Sequence, residues 1–308
     1  MIESRLLERL ETKKAQLDEL RPLPDVAVNR LRGEILVEWI YNSNAIEGSN
    51  ITLQETRLIL ETGLTVGGKS LREHFEVINH RDAIYYIENL VHDHEPITAL
   101  KVRQIHKLVL AHIDDENAGN YRKTQVRIAG APLMPPDSWQ VANLMTEWGD
   151  WVNQSEKTLN PVSLAAQAHH HLVAIHPFVD GNGRTARLVM NLLLMRSGYP
   201  PTIILRVYRR QYYSVLAQAD DGKPGPLENF VGRAVENSLN LYLEACTPRT
   251  KVPGLEEEWI PLREASRYTP YSQEYLSLLA RLGRMEAIKR GQVWYTTRLA
   301  IQAYQDSL

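Results

Sequence analysis

Apolar residues recur at helical spacing along most of the chain. In the segment "SRLLERLETKKAQLDEL", Leu6, Leu7, Leu10, Leu17 and Leu20 line one side while charges fill the rest. The same pattern predicts helices over Ile2–Leu20, Ala27–Ile40, Thr52–Glu61, Ser70–Leu90 and Thr98–Ala111. It continues over Trp139–Asn153, Ser163–Ala174, Gly183–Ser197, Arg209–Ala219 and Leu227–Ala245. Thr52 with Glu55 reads as a capping box, and Thr98 and Ser163 read as N-caps. Gly198, just before Pro200-Pro201, reads as a helix stop.

One stretch breaks the helical rhythm. "YRKTQVRIAGAPLMPPD" (Tyr121–Asp137) alternates at Gln125–Ile128, turns at Gly130 and ends in Pro135-Pro136, which predicts a short β-hairpin. Such a hairpin is either a structural cover or an edge strand that holds an extended peptide. The Pro-, Gly- and charge-rich run Cys246–Glu258 marks a linker. The expected fold class is therefore mainly α, with a short hairpin flap and a small C-terminal unit.

Composition narrows the function. The 308 residues are 44% hydrophobic and 23% charged, with a net charge of −2. That balance argues against a chain dominated by nucleic-acid contacts and leaves room for a local basic patch. The single cysteine, Cys246, excludes an intrachain disulfide and a thiolate metal site, and it fits a reducing compartment. The charged N-terminus reads as an amphipathic helix rather than a signal peptide. The longest apolar run, Leu188–Met195, is broken by Asn191 and falls short of the ~18 residues that cross a bilayer. A cytoplasmic protein with no membrane partner is expected.

The chemistry concentrates in "HPFVDGNGRTAR", His176–Arg187. Gly181 and Gly183 around Asn182 make a tight turn, delivering the free N–H groups of Gly183–Ala186 at a helix start, where an anion is favoured. Arg184 and Arg187, three apart, share a helix face. A phosphate chain suits both features. Asp180 supplies a carboxylate of the kind Mg²⁺ takes singly or in pairs, and His176, ending the preceding helix, is a candidate general base.

This segment resembles the Fic motif, HPFx[DE]GNGRxxR, at every fixed position. Fic enzymes usually transfer AMP from ATP to a protein hydroxyl, so the resemblance implies a helical Fic core and a protein adenylyltransferase. "HHHLVAIHPF", "GNYRKTQVRIAGAPLMPPD" and "RRQYYSVLAQADDG" are similar to the family's preceding helix, its target-docking flap and the segment closing over adenine. The resemblance implies that His176 takes the proton of the target's Ser, Thr or Tyr hydroxyl, that Asp180 holds Mg²⁺, and that Phe178 anchors the loop. Asn182 and the Gly181–Arg184 backbone form the anion hole, Arg184 binds phosphates and Arg187 grips the γ-phosphate. Tyr213 stands near adenine, and Asp220 replaces the Asn that relatives often carry there. Implied partners are ATP and a protein hydroxyl (its own included); a homodimer is a further candidate.

A second short stretch, "NSNAIEGSN" (Asn42–Asn50), lies between two predicted helices. Ser43-x-x-x-Glu47-Gly48 resembles the [ST]xxxE[GN] signature of Fic proteins that carry their own inhibitor. Gly48 can equally cap a helix C-terminus. A carboxylate at Glu47 paired with Arg187 would occupy the γ-phosphate donor and repel a triphosphate. The family also uses this glutamate to align a water that removes AMP.

The three histidines His169, His170 and His171 do not make a metal site, because consecutive helical residues point about 100° apart. From Trp259 onward basic residues outnumber acidic by seven to four. That tail resembles a winged-helix unit of the MerR and excisionase kind, with helices at Leu262–Ser266 and Ser272–Leu282, a hairpin, and a closing helix at Thr297–Tyr304. DNA is thus a candidate partner, beside target docking and self-association. The expected divisions are 1–95, a catalytic core at 96–245, a linker at 246–258, and 259–308. Two rival functions stand beside AMP transfer: a Fic enzyme moving another phosphate-linked group such as UMP or phosphocholine, and a DNA-binding regulator whose Fic fold senses nucleotide.

Overall fold

Among the described residues, ten α-helices come first along the chain: α1 (Ser4–Glu19), α2 (Asp25–Ile46), α3 (Leu53–Thr62), α4 (Leu71–Val91), α5 (Ala99–Leu110), α6 (Val141–Ser155), α7 (Pro161–Ile175), α8 (Asn182–Arg196), α9 (Arg209–Asp220) and α10 (Gly225–Cys246). The computed structural model describes residues 1–23, 25–92, 95–127, 133–246 and 258–306. By contacts the described chain divides into two units, residues 1–11 with 36–236, and residues 12–35 with 237–308. Residue 96, where the catalytic core was expected to begin, lies inside the first unit. Residues 247–257 of the expected linker fall outside the described residues.

Local capping fixes several starts. Thr52 and Ser70 each accept the amide three residues on, while Glu55 and Glu73 return the bond. Two expectations need correction. Asn160 caps α7, with Pro161 in its first turn, and Ser163 donates its amide to the Asn160 side chain at 2.9 Å. The second helix was expected to end at Ile40, but α2 runs on to Ile46. The polar run Asn42-Ser43-Asn44 is a poor helix former alone; here it stays helical because tertiary partners take its side chains. Asn42 Oδ1 accepts the Arg206 amide at 2.9 Å, and Asn44 Nδ2 donates to the Glu76 carbonyl at 3.1 Å.

α8 is the centre of the first unit. It is buried from Arg184 to Leu194, polar through the motif and mostly apolar beyond it, with α4, α5 and α7 packed around it. Asn191, its one polar interior residue past the motif, exchanges two hydrogen bonds with the Thr202 backbone, at 2.6 and 2.9 Å. Gly198, at φ 79°, ends the helix run as expected.

No strand forms in the described parts of the expected hairpin, 121–127 and 133–137. Its expected turn at Gly130 lies outside the described residues. The two arms are joined by side chains instead. Gln125 donates to the Pro135 carbonyl at 2.9 Å, Ser138 to Lys123 at 3.1 Å, and Arg122 to Pro136.

In the second unit a three-stranded antiparallel sheet has the order β1 (Ile260–Pro261), β3 (Val293–Thr296), β2 (Ala287–Arg290), with Ile260 and Ala287 both opposite Thr296. It is interleaved with α11 (Leu262–Ala265), α12 (Gln273–Arg281) and α13 (Arg298–Asp306). Leu262, Leu276, Leu279, Met285, Ile301 and Tyr304 form its small core. Among the described residues, no helix is long and apolar enough to cross a membrane.

Candidate active site

The site lies on the loop between α7 and α8. α7 ends at His176, whose backbone turns left-handed at φ 49°, ψ 58°, and Gly181 repeats the left-handed turn at φ 75° to open α8. The loop between them is held from four sides. Asn182 donates to the Phe178 carbonyl at 2.9 Å and accepts its amide at 3.0 Å. Its side chain therefore shapes the loop. Phe178 is fully buried and stacks on His106 with centroids 3.6 Å apart. His106 Nε2 donates to the Asp180 carbonyl at 2.9 Å while Nδ1 accepts the Gly119 amide at 2.9 Å. Burial holds His106 down at about 4, so it stays in the neutral form both bonds need. Arg122, itself buried, donates through Nε to the His176 carbonyl at 2.8 Å.

His176 Nδ1 lies 3.3 Å from the Val173 carbonyl. A carbonyl only accepts, so this contact puts the proton on Nδ1 and leaves the Nε2 lone pair as the basic one. Burial, with Arg122 adding to it, pushes His176 below its ordinary value. The ring is a neutral base at pH 7.

Asp180 and Arg184 belong to a charge cluster that the sequence reading missed. Asp180 Oδ2 lies 2.5 Å from Arg72 Nη2, and Oδ1 lies 3.6 Å from Arg184 Nη2 and accepts the Gly181 amide at 2.6 Å. Glu76 completes the group, 3.3 Å from Arg184 and 3.7 Å from Arg72. Burial alone would raise Asp180; Arg184, the Gly181 N–H and Arg72 outweigh it and hold the carboxyl below its ordinary value. Burial wins at Glu76, which is raised despite both arginines.

Arg187 meets the upstream motif directly. Its Nε donates to Ser43 Oγ at 3.0 Å, its Nη2 to the Ser43 carbonyl at 2.8 Å, and its Nη1 lies 2.8 Å from Glu47 Oε1. Burial opposes its charge, but Glu47 and the Tyr212 hydroxyl more than offset that and hold the guanidinium protonated. The Glu47 carboxylate also lies over Gly183, where an added Cβ would collide with it. Gly48, at φ 104°, turns the chain away directly afterwards. The Ile46 carbonyl is bound by Arg209 Nε at 2.6 Å and approached by the Tyr213 hydroxyl at 3.5 Å. Tyr213 is partly exposed, with the Arg209 guanidinium 4.8 Å above its ring.

The three consecutive histidines find three partners. His169 Nε2 meets the Tyr212 hydroxyl at 2.8 Å, His170 Nε2 meets Asp220 at 2.8 Å, and the His171 ring lies 4.5 Å from that of Trp151. Asp220 thus sits against α7, its carboxylate taken by His170. Of the residues read from sequence, the structure brings His176, Asp180, Gly181, Asn182, Gly183, Arg184, Arg187, Ser43 and Glu47 around one helix start, with Tyr213 at its edge.

A helical protein built on a left-handed loop, with a neutral histidine beside the positive start of a buried helix, is the class this geometry defines. Residues 96–194 match the Fic/DOC family. Protein adenylyltransferase Fic of Culex quinquefasciatus is 38% identical over 297 residues, covering 95% of this chain and 59% of its own. The chain thus spans little more than half the length of that curated relative. The solved structure of Fic-1 (aa134–508) from C. elegans is 36% identical, with a TM-score of 0.72, over 79% of this chain and 73% of its own. A Fic family protein from Desulfovibrio desulfuricans G20, at 22% identity and a TM-score of 0.66, shares the fold over 96% of this chain and 97% of its own. The chain belongs to the Fic/DOC family.

Proposed function

We propose that the protein transfers AMP from ATP to a hydroxyl group of a protein target, and that Glu47 holds it inhibited. The carrying observation is the neutral His176, its Nε2 left as acceptor, on the loop that opens α8. As the target oxygen attacks the α-phosphorus, its proton passes to Nε2. The bond to the β-phosphate oxygen breaks and pyrophosphate leaves, with AMP joined to the target. The N–H groups at the start of α8, with Arg184 beside them, would face the phosphates. The naming of curated relatives as protein adenylyltransferases supports this reading.

Asp180 fits a Mg²⁺ ion: it is one ionised, part-exposed carboxylate, and Mg²⁺ completes such a set from phosphates and water. When bound, the ion neutralises phosphate charge. Glu47 is proposed to inhibit because its carboxylate takes Arg187, the γ-phosphate donor, and puts a negative charge over Gly183. Labelled ATP, UTP and GTP test the reading. ATP alone should label the protein, Glu47→Gly should label it more, and loss of the His176 ring should abolish labelling by ~10²–10⁴-fold. Equal labelling by wild type and Glu47→Gly, at matched ATP and Mg²⁺, would remove the inhibitory role. If the protein also removes AMP, Glu47→Gly should abolish that reaction.

The C-terminal unit is proposed to be winged-helix-like, with the β2–β3 hairpin as the wing. Exposed Lys289 and Arg290 at its tip favour contact with DNA phosphates.

A further inference from the structure

Arg72 stands where no rule of helix stability would put it. It lies in the first turn of α4, at the positive end of the helix dipole, where a cation is disfavoured. On its own helix it pairs with Glu76, four residues on at 3.7 Å, in the weaker orientation for such a pair. What it does instead is reach across to Asp180, with Nη2 2.5 Å from Oδ2.

The two oxygens of Asp180 are used differently. Oδ1 is bound by the Gly181 amide at 2.6 Å and faces Arg184 at 3.6 Å, both parts of the α8 start. Oδ2 has Arg72, from a different helix and through a side chain that is 55% exposed. The Arg184 guanidinium is buried and fixed between Glu76 and Asp180, so it cannot swing. Arg72 is more than half exposed, and its Nε already lies 3.7 Å from Glu76 while Nη2 holds Asp180.

We propose that Arg72 is a built-in surrogate for the divalent cation, occupying Asp180 Oδ2 until a metal ion carried by nucleotide displaces it. It sets how much cation the site requires, and it acts at a different point from Glu47, which holds Arg187. The inference rests on the reading of Asp180 as the cation carboxylate. It predicts that the site discriminates against low divalent concentrations even when Glu47 is absent.

The test is the Mn²⁺ dependence of ADP binding, followed calorimetrically, since ADP lacks the γ-phosphate that Glu47 opposes. In Arg72→Gln and Arg72→Ala the Mn²⁺ concentration for half-maximal tightening should fall about two- to five-fold, the worth of a part-exposed ion pair. Arg72→Lys, which keeps the charge, should stay nearer to wild type than either. Asp180→Asn should lose the Mn²⁺ dependence. If Asp180→Asn loses it while both neutral Arg72 variants match wild type, the surrogate is overturned and the cation site stands. If Asp180→Asn keeps it, the cation site itself is misplaced and the surrogate falls with it.

Discussion

Arg122 donates to the main-chain oxygen of His176 at 2.8 Å, and its own amide donates to the next carbonyl, that of Pro177, at 2.9 Å. One residue thereby holds the backbone at the point where α7 gives way to the loop. The same guanidinium reaches Thr124 and Pro136, so the segment before the site and the histidine share a fastening. Arg122→Lys should cost about 2–4 kcal/mol, because a single ammonium cannot replace a planar fork serving three carbonyls. Thermal unfolding measures the loss. Transfer should fall with it, and a variant with unchanged melting and rate would separate Arg122 from the site.

Gly183 and Glu47 are coupled by space. A methyl at 183 meets the Glu47 carboxylate, so Gly183→Ala should destabilise the wild type by about 1–3 kcal/mol. In a Glu47→Gly background the same change should cost clearly less, since the nearest obstacle is gone and only Arg187 Nη1, at 3.2 Å, stays close. A double-mutant cycle on unfolding free energy reads the coupling. Strict additivity would show that Glu47 does not rest over the helix start in solution.

Acid should loosen the protein before its carboxylates titrate. Burial holds His106 and His171 down at about 4 and His169 at about 3, against 6.5 in the open chain. Their folded values are depressed, so the unfolded chain binds protons first. Their stabilisation is complete above pH 6.5 and is lost as pH falls toward 4. Each contributes a loss of about 1.4 kcal/mol per pH unit in that window. Melting temperatures between pH 7.5 and 5 should decline, and His106→Gln should flatten the slope. A flat profile would contradict the buried neutral histidines.

The proposed DNA contact of the C-terminal unit is tested on two residues. Lys289→Glu with Arg290→Glu should abolish binding to duplex DNA, and wild-type binding should weaken steeply with salt. Binding that ignores the double change would move the contact elsewhere, and none in the wild type would leave docking or self-association.

The motif His176–Arg187 was legible because its chemistry is local: two glycines, an asparagine and a helix start follow one another along the chain. Ser43 and Glu47 were legible only through resemblance, since nothing near them in sequence announces Arg187. Arg72 and Glu76 escaped because a basic and an acidic residue four apart on a helix read as a solvated face. His106 escaped for a similar reason: its partners, Asp180 and Gly119, are set by the tertiary fold. The length of α2 was misjudged because propensity counts against Asn42-Ser43-Asn44, whereas their distant hydrogen bonds decide the outcome. Alternation, the Gly130 turn and the Pro135-Pro136 end predict a hairpin there, yet its described arms are tied by side chains and not by a ladder.

The left-handed backbone at His176 bears on how an inactive form of this protein should be made. At φ 49° an L-residue is strained, and histidine, asparagine and aspartate tolerate the region better than most. Alanine at 176 would remove the base and also raise the cost of the turn that aims the loop. A lost activity would then have two causes. Asparagine keeps the turn, cannot act as a base near neutral pH, and leaves the Phe178 and Asn182 fastenings intact. For trapping nucleotide or target under the proposed function, His176→Asn is the cleaner silent variant.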